Sequence, residues 1–211
     1  MNLKNFFKLG KKHKNEISDE MAKELGFTQK LLDIIKLVAS NSLQPLKISD
    51  LYNEDQITIV GISFITFEEK AEELVVELQS KIKQLGYLAF INERNFIQGS
   101  KSKCRIGILK GTDQFELLKI LQTNGDNYDI SNDDVISKLK QWNNHYPFSI
   151  IGADFDWIEA NFTVLPSNQA LKSLAQEMYE FCPDIVEQGT GSIEELIEEI
   201  KETKKLFLWW D

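Results

Sequence analysis

The chain is expected to fold as an α+β protein, with one mixed sheet of about six strands, helices packed on its faces and an N-terminal helical extension. Three observations predict this. Short apolar runs of strand length recur along the chain. Longer segments between them return an apolar residue every three or four positions, the period of a helix with one buried face. The two kinds of segment are mixed rather than strictly alternating, so the sheet is read as mixed.

In chain order, residues 1–16 form a basic arm carrying Lys4, Lys8, Lys11, Lys12 and Lys14 against Glu16. Ser18 and Thr28 can cap two short helices, because a hydroxyl accepts from the free N–H groups of a first turn. The second of these places Leu31, Ile34, Ile35 and Val38 on one face. Pro45 and the polar stretch 50–55 break that pattern. The boundary is therefore expected there, between a helical extension over 17–55 and an α+β domain over 56–211.

The domain opens with an apolar run at 57–65, read as a strand buried on both faces. Thr66 and Glu69 are spaced as a capping box. The helix they would open carries Ala71, Leu74, Val75, Leu78, Ile82 and Leu85, and Gly86 ends it. A second strand is expected at 87–91, a polar loop at 95–103 and a third strand at 104–109. Asp113 and Glu116 cap a helix bearing Phe115, Leu118 and Leu121. Ser131 opens another with Val135, Leu139 and Trp142 on one face.

Strands at 148–153 and 157–164 flank the turn Asp154-Phe155-Asp156. Pro166 and Ser167 start a helix with Leu171, Leu174, Ala175, Met178 and Phe181, which Cys182-Pro183-Asp184 ends. Ser192 and Glu195 form a third box, ahead of Ile193, Leu196, Ile197 and Ile200. The last run, 206–210, contains five bulky apolar residues and reads as a strand buried on both faces. Asp211 then belongs to the fold, its carboxylates at one strand end beside two indoles.

Composition bounds the function. With 211 residues, 42% hydrophobic and 27% charged, the chain is an ordinary soluble globular protein. Cys104 and Cys182 fit neither a disulfide framework nor a zinc pattern, so a reducing cytosol is the simplest setting. No apolar run approaches the roughly 20 residues of a membrane span. The net charge is −9, divided as +4 over residues 1–16 and −13 over the rest. An acidic body repels phosphates and argues against nucleic acid binding. The basic arm lacks the roughly 7–15-residue apolar core of a signal peptide. Phe6, Phe7 and Leu9 beside lysines leave membrane-surface contact as a weaker alternative to a solvated arm.

Chemistry-bearing residues are few. His13 lies in the arm, so His145 is the single imidazole of the body, and it follows a helix whose dipole merely favours its charged form. Cys182 sits at a helix C-terminus near Asp184, and both disfavour a reactive thiolate. The carboxylates are the better candidates: Asp154, Asp156, Glu159, Asp184 and Asp211 can gather at one sheet edge. Such oxygen-rich sets suit magnesium, calcium or manganese, or serve as acid and base when their environments differ. Against this, Asp favours turns because its side chain bonds the local backbone.

The acidic loop starting at Asn124 fails as an EF-hand, having Asp129 and Val135 where that motif needs Gly and Glu. Asn124, Asn127, Tyr128 and Gln188 can still line a polar pocket. The Gly189-Thr-Gly-Ser192 turn precedes a helix, but Glu194 and Glu195 already occupy the positive end that a phosphate would need. Trp157, Trp209 and Trp210 are dense for one domain, and at strand positions they read as core before interface. No motif indicates a cofactor.

Five stretches carry a resemblance. They are Lys110-Gly-Thr-Asp-Gln-Phe-Glu-Leu-Leu118 with Thr123-Asn-Gly-Asp-Asn-Tyr128, Ile151-Gly-Ala-Asp-Phe-Asp-Trp157, Phe181-Cys-Pro-Asp-Ile-Val-Glu-Gln-Gly189, and the terminal Leu-Trp-Trp-Asp. Over about 110–211 the chain resembles the bacterial family catalogued as domain of unknown function 4253. The resemblance implies a bacterial cytosolic setting and transfers no catalytic residues. The leading expectation is a non-catalytic binding or protein-interaction module with a protein partner. The alternative is a metal-assisted hydrolase, or another enzyme, built on the carboxylate cluster.

Overall fold

The computed structural model describes residues 16–39, 42–50, 53–94 and 102–211. Most of the basic arm and of the polar loop at 95–103 lie outside the described residues, so the expectations placed on them do too.

The described strands form one mixed seven-stranded sheet in the order β1-β2-β4-β3-β5-β6-β7. They are β1 (Gln44–Asp50), β2 (Asn53–Phe67), β3 (Tyr87–Glu93), β4 (Lys103–Lys110), β5 (Phe148–Ala153), β6 (Trp157–Phe162) and β7 (Lys205–Trp209). The pairs β1–β2, β2–β4, β5–β6 and β6–β7 are antiparallel, and β3–β5 is parallel, with Ile91 opposite Gly152. The chain packs as two compact units. One comprises the described residues up to Ala89 together with Arg94–Lys110; the other comprises Phe90–Glu93 and Gly111–Asp211.

In the first unit, Ser18 and Thr28 cap α1 (Asp19–Glu24) and α2 (Gln29–Val38), each accepting from a first-turn N–H as their sequence positions predict. Ala71, Val75, Leu78 and Ile82 line the buried face of α3 (Glu68–Ile82). Three expectations fail here. The strand read at 57–65 as buried on both faces runs over Asn53–Phe67, and Ile57 is exposed. Residues 44–50, placed in the helical extension, form strand β1 despite Pro45; the missing N–H is tolerated because β1 ends the sheet order. Thr66 is not a cap. The β2–β4 ladder continues through Thr66–Cys104 to Phe67–Lys103, so Phe67 begins the helix without a side-chain cap. Glu68 N then bonds the Ser102 carbonyl at 3.0 Å.

In the second unit, β5, β6 and β7 pack with α4 (Gln114–Leu121), α5 (Asn132–His145), α6 (Asn168–Phe181) and α7 (Ile193–Thr203). Asp113, Ser131, Ser167 and Ser192 cap the four helices, and Ser131 and Asp134 close a full capping box. Each such cap is worth about 1 kcal/mol. The helices bury the faces their period predicts: Phe115, Leu118 and Leu121; Val135, Leu139 and Trp142; Leu171, Leu174 and Met178; Leu196, Ile197 and Ile200.

The terminal strand differs from expectation. It is not buried on both faces: Leu206, Leu208 and Trp210 are buried, whereas Lys205, Phe207 and Trp209 are half-buried. The reason is its place at the end of the sheet order, where an antiparallel strand packs one face fully. Between the helix ended at Cys182-Pro183-Asp184 and the one opened at Ser192, Ile185–Thr190 form a π-helical turn, for which the sequence predicts no element. Gly191, with φ of 82°, closes it.

Candidate functional site

The sequence-predicted carboxylates all lie in the second unit, and the fold divides them among three environments.

The first is the face of the β6–β7 ribbon. Its register sets Trp157 opposite Trp209, Glu159 opposite Phe207 and Asn161 opposite Lys205, so these six side chains share one face. The rings form a chain, with Trp157 and Phe207 centroids 6.4 Å apart and Phe207 and Trp209 5.4 Å apart. Glu159 is buried and pairs with Lys205 Nζ at 2.8 Å. Its charge is thus already engaged inside the fold.

The second environment surrounds Asp184, which is 2% exposed and ends the Phe181-Cys-Pro-Asp segment. It stands at the start of the π-helical turn. Tyr128 Oη donates to its Oδ1 at 2.6 Å, Gln188 Nε2 to the same oxygen at 2.8 Å, and the Asp211 N–H to Oδ2 at 2.9 Å. Burial pushes this carboxyl up, but the three hydrogen bonds outweigh it and hold Asp184 below the usual carboxylate range. The same bond pushes Tyr128 up to about 12, since losing its proton would break it beside a negative charge. Asn127 Nδ2 donates to the Asp211 carbonyl. Three of the four expected polar residues therefore meet here. Asn124 does not: its side chain bonds the Gln122 carbonyl and the Asp126 N–H, shaping its own loop.

The third environment is the turn Asp154-Phe155-Asp156. Asp154 Oδ1 accepts from the Phe155 N–H at 3.0 Å. Burial, with the charges of Asp156 and Glu93, raises Asp154 to about 7. Burial and the Asp211 charge raise Asp156. Among the described residues, none of Asp154, Asp156 and Asp211 takes part in an ion pair. Glu93 went unnoticed in the sequence; its signal was a polar pair, Asn92-Glu93, closing an apolar strand.

Among the described residues, no group of three or more His, Cys, Asp or Glu side chains sits so as to hold a metal ion. Cys182 is buried, and its thiol donates to the Trp209 carbonyl at 2.9 Å. Burial, more than the neighbouring Asp184 charge, pushes it up to about 12, so it is a poor nucleophile. His145 closes α5, with Nδ1 2.9 Å from the Gln141 carbonyl. Trp157 and Trp210 are buried as core residues, and Trp209 is half-buried.

Two glycines fix how Trp209 and Trp210 seat. A Cβ on Gly125 would lie 2.7 Å from the Trp210 ring, and one on Gly189 would lie 2.5 Å from that of Trp209. Each indole therefore presses on a backbone that can carry no side chain there.

No helix among the described residues is long and apolar enough to cross a membrane. No curated protein and no solved structure matches the chain. The family described as domain of unknown function (DUF4253) matches residues 105–211, just over half of the sequence and nearly all of the second unit. On that match, the chain belongs to the DUF4253 family.

Proposed function

We propose that this chain is a non-catalytic protein-interaction module of the bacterial cytosol, and that Asp154, Asp156 and Asp211 take a basic segment of a protein partner. One observation carries the reading: the turn's two carboxyls are raised by burial and by neighbouring negative charge, with no cation paired to them among the described residues. A guanidinium or ammonium group placed there would relieve that repulsion and gain charge-assisted hydrogen bonds. The acidic body would steer such a partner inward. Exposed Phe155 at the tip of the turn adds apolar contact between the two acids.

Fluorescence anisotropy with a labelled nona-arginine peptide tests this. Saturable binding that weakens with salt, and that falls at least tenfold in the Asp154→Asn/Asp156→Asn variant, is expected. Equal binding by that variant, or none by the wild type, removes the reading.

A second reading has its own observation. A carboxyl titrating near 7 beside another acid is the arrangement of a general acid–base pair. A thermal-shift screen against divalent metals, nucleotides and common metabolites separates the two. A small molecule at about 100 times its dissociation constant adds roughly 2.7 kcal/mol. A shift that Asp154→Asn abolishes favours the enzyme; a flat screen favours the protein partner.

A further inference from the structure

The segment Trp209–Asp211 ties three loops together, mainly through its backbone. The Trp210 N–H donates to the Asp156 carbonyl at 2.9 Å, reaching the acidic turn. The Asp211 N–H donates to Asp184 at 2.9 Å, and the Trp209 carbonyl accepts from Cys182 at 2.9 Å, reaching the α6 exit and π-helical turn. Asn127 donates to the Asp211 carbonyl, reaching the 124–128 loop. The Trp210 indole Nε1 adds a bond to the Phe181 carbonyl at 3.3 Å. Two of the loops also bond each other directly, Asn124 N to the Phe155 carbonyl at 2.8 Å and Thr123 Oγ1 to the Asp154 carbonyl at 2.7 Å. Freeing residues 209–211 would remove all their ties at once.

The charges at this junction are almost all of one sign. The turn supplies Asp154 and Asp156, β3 supplies Glu93, and the 124–128 loop supplies Asp126. The π-helical turn supplies Asp184 and Glu187, and the chain end supplies Asp211. Glu159 of β6 is neutralised by Lys205 of β7, and Asp184 is satisfied by its three donors. Among the described residues, Asp154 and Asp156 of the turn and Asp211 take part in no ion pair, and the Trp210–Asp156 hydrogen bond joins the turn to the chain segment that carries Asp211.

We infer that Trp209–Asp211 is a latch whose closure is coupled to protonation of the Asp154–Asp156 turn: it is tightest with the turn protonated and loosens as the turn ionises. The direction follows from linkage. Opening would hydrate the turn and withdraw Asp211, and both changes lower the turn's proton affinity. Proton release and opening therefore favour each other. The window runs from the ordinary carboxylate range up to about 7, where Asp154 titrates.

Amide hydrogen exchange read by NMR on the full chain tests the latch, with the α6 amides of Leu174 and Met178 as an internal reference. After correction for intrinsic rates, the opening constant at Trp210 and Asp211 is expected to rise at least about tenfold from pH 5 to pH 8. The reference amides should not follow. In the Asp154→Asn/Asp156→Asn variant the rise should vanish. A flat profile in the wild type overturns the inference whatever the variant does. So does a parallel rise in the α6 amides, which would report global unfolding, or an undiminished rise in the variant.

Discussion

Asp184 and Asp154 lie in segments that the Trp209–Asp211 end ties down, yet they are displaced in opposite directions. Asp184 is 2% exposed and its carboxyl lies below the ordinary range. Asp154 is only half-buried and is raised to about 7. Burial pushes both carboxyls up, and at Asp154 it is the largest cause of the shift. The difference lies in the donors: Asp184 receives three hydrogen bonds from Tyr128, Gln188 and the Asp211 backbone, whereas Asp154 receives one from its own turn. At Asp184 donor supply outweighs burial in fixing the carboxylate's charge, and at Asp154 burial outweighs the single donor. One region spends its acid on holding structure together, while the other keeps its acids uncompensated.

The largest effect should come from breaking the satisfied side. Asp184→Ala leaves three donors without an acceptor and is expected to cost about 3 kcal/mol in urea denaturation at pH 7. Because its folded carboxyl is depressed, its contribution is present above the ordinary carboxylate range and is lost as pH falls through the lower folded value. A cost below about 1 kcal/mol would mean that burial, not donors, is the governing term.

Asp154→Asn probes the unsatisfied side with the opposite sign. A raised carboxyl gives stability that is fully present below the unfolded value and lost as pH rises through about 7. The variant should therefore gain about 1–2 kcal/mol over wild type at pH 8, and nothing near pH 4. Equal stability of the two proteins across that range would dissolve the contrast. The smallest change tests the mechanism alone. Tyr128→Phe deletes one of the three donors, so the Asp184 carboxyl, followed by NMR titration, should move up toward its ordinary range.

Much of the architecture was legible because capping is local chemistry. Ser18, Thr28, Asp113, Ser131, Ser167 and Ser192 each sit where a first turn needs an acceptor, and each does cap a helix. Thr66 misled because the same residue type is also a good strand former, and its ladder partner Cys104 lies 38 positions away. Pro45 misled because an edge strand tolerates what an interior strand does not.

The site was legible as a set of residues but not as a grouping. Asp184 with Asn127, Tyr128 and Gln188 unites two loops that only the fold brings together. Glu159 left the acidic set because the β6–β7 register placed Lys205 within reach. The π-helical turn left no periodic signal, since six residues hold barely one turn.

The seating of Trp210 on Gly125 and Trp209 on Gly189 has a consequence for inheritance. A side chain gained at either glycine collides with the ring above it, and loss of the buried Trp210 ring leaves a void over the buried Gly125 backbone. Replacement at these four positions is constrained to be reciprocal, a smaller residue at one site opening room at the other. The two pairs should behave in descent as two linked characters rather than four independent ones.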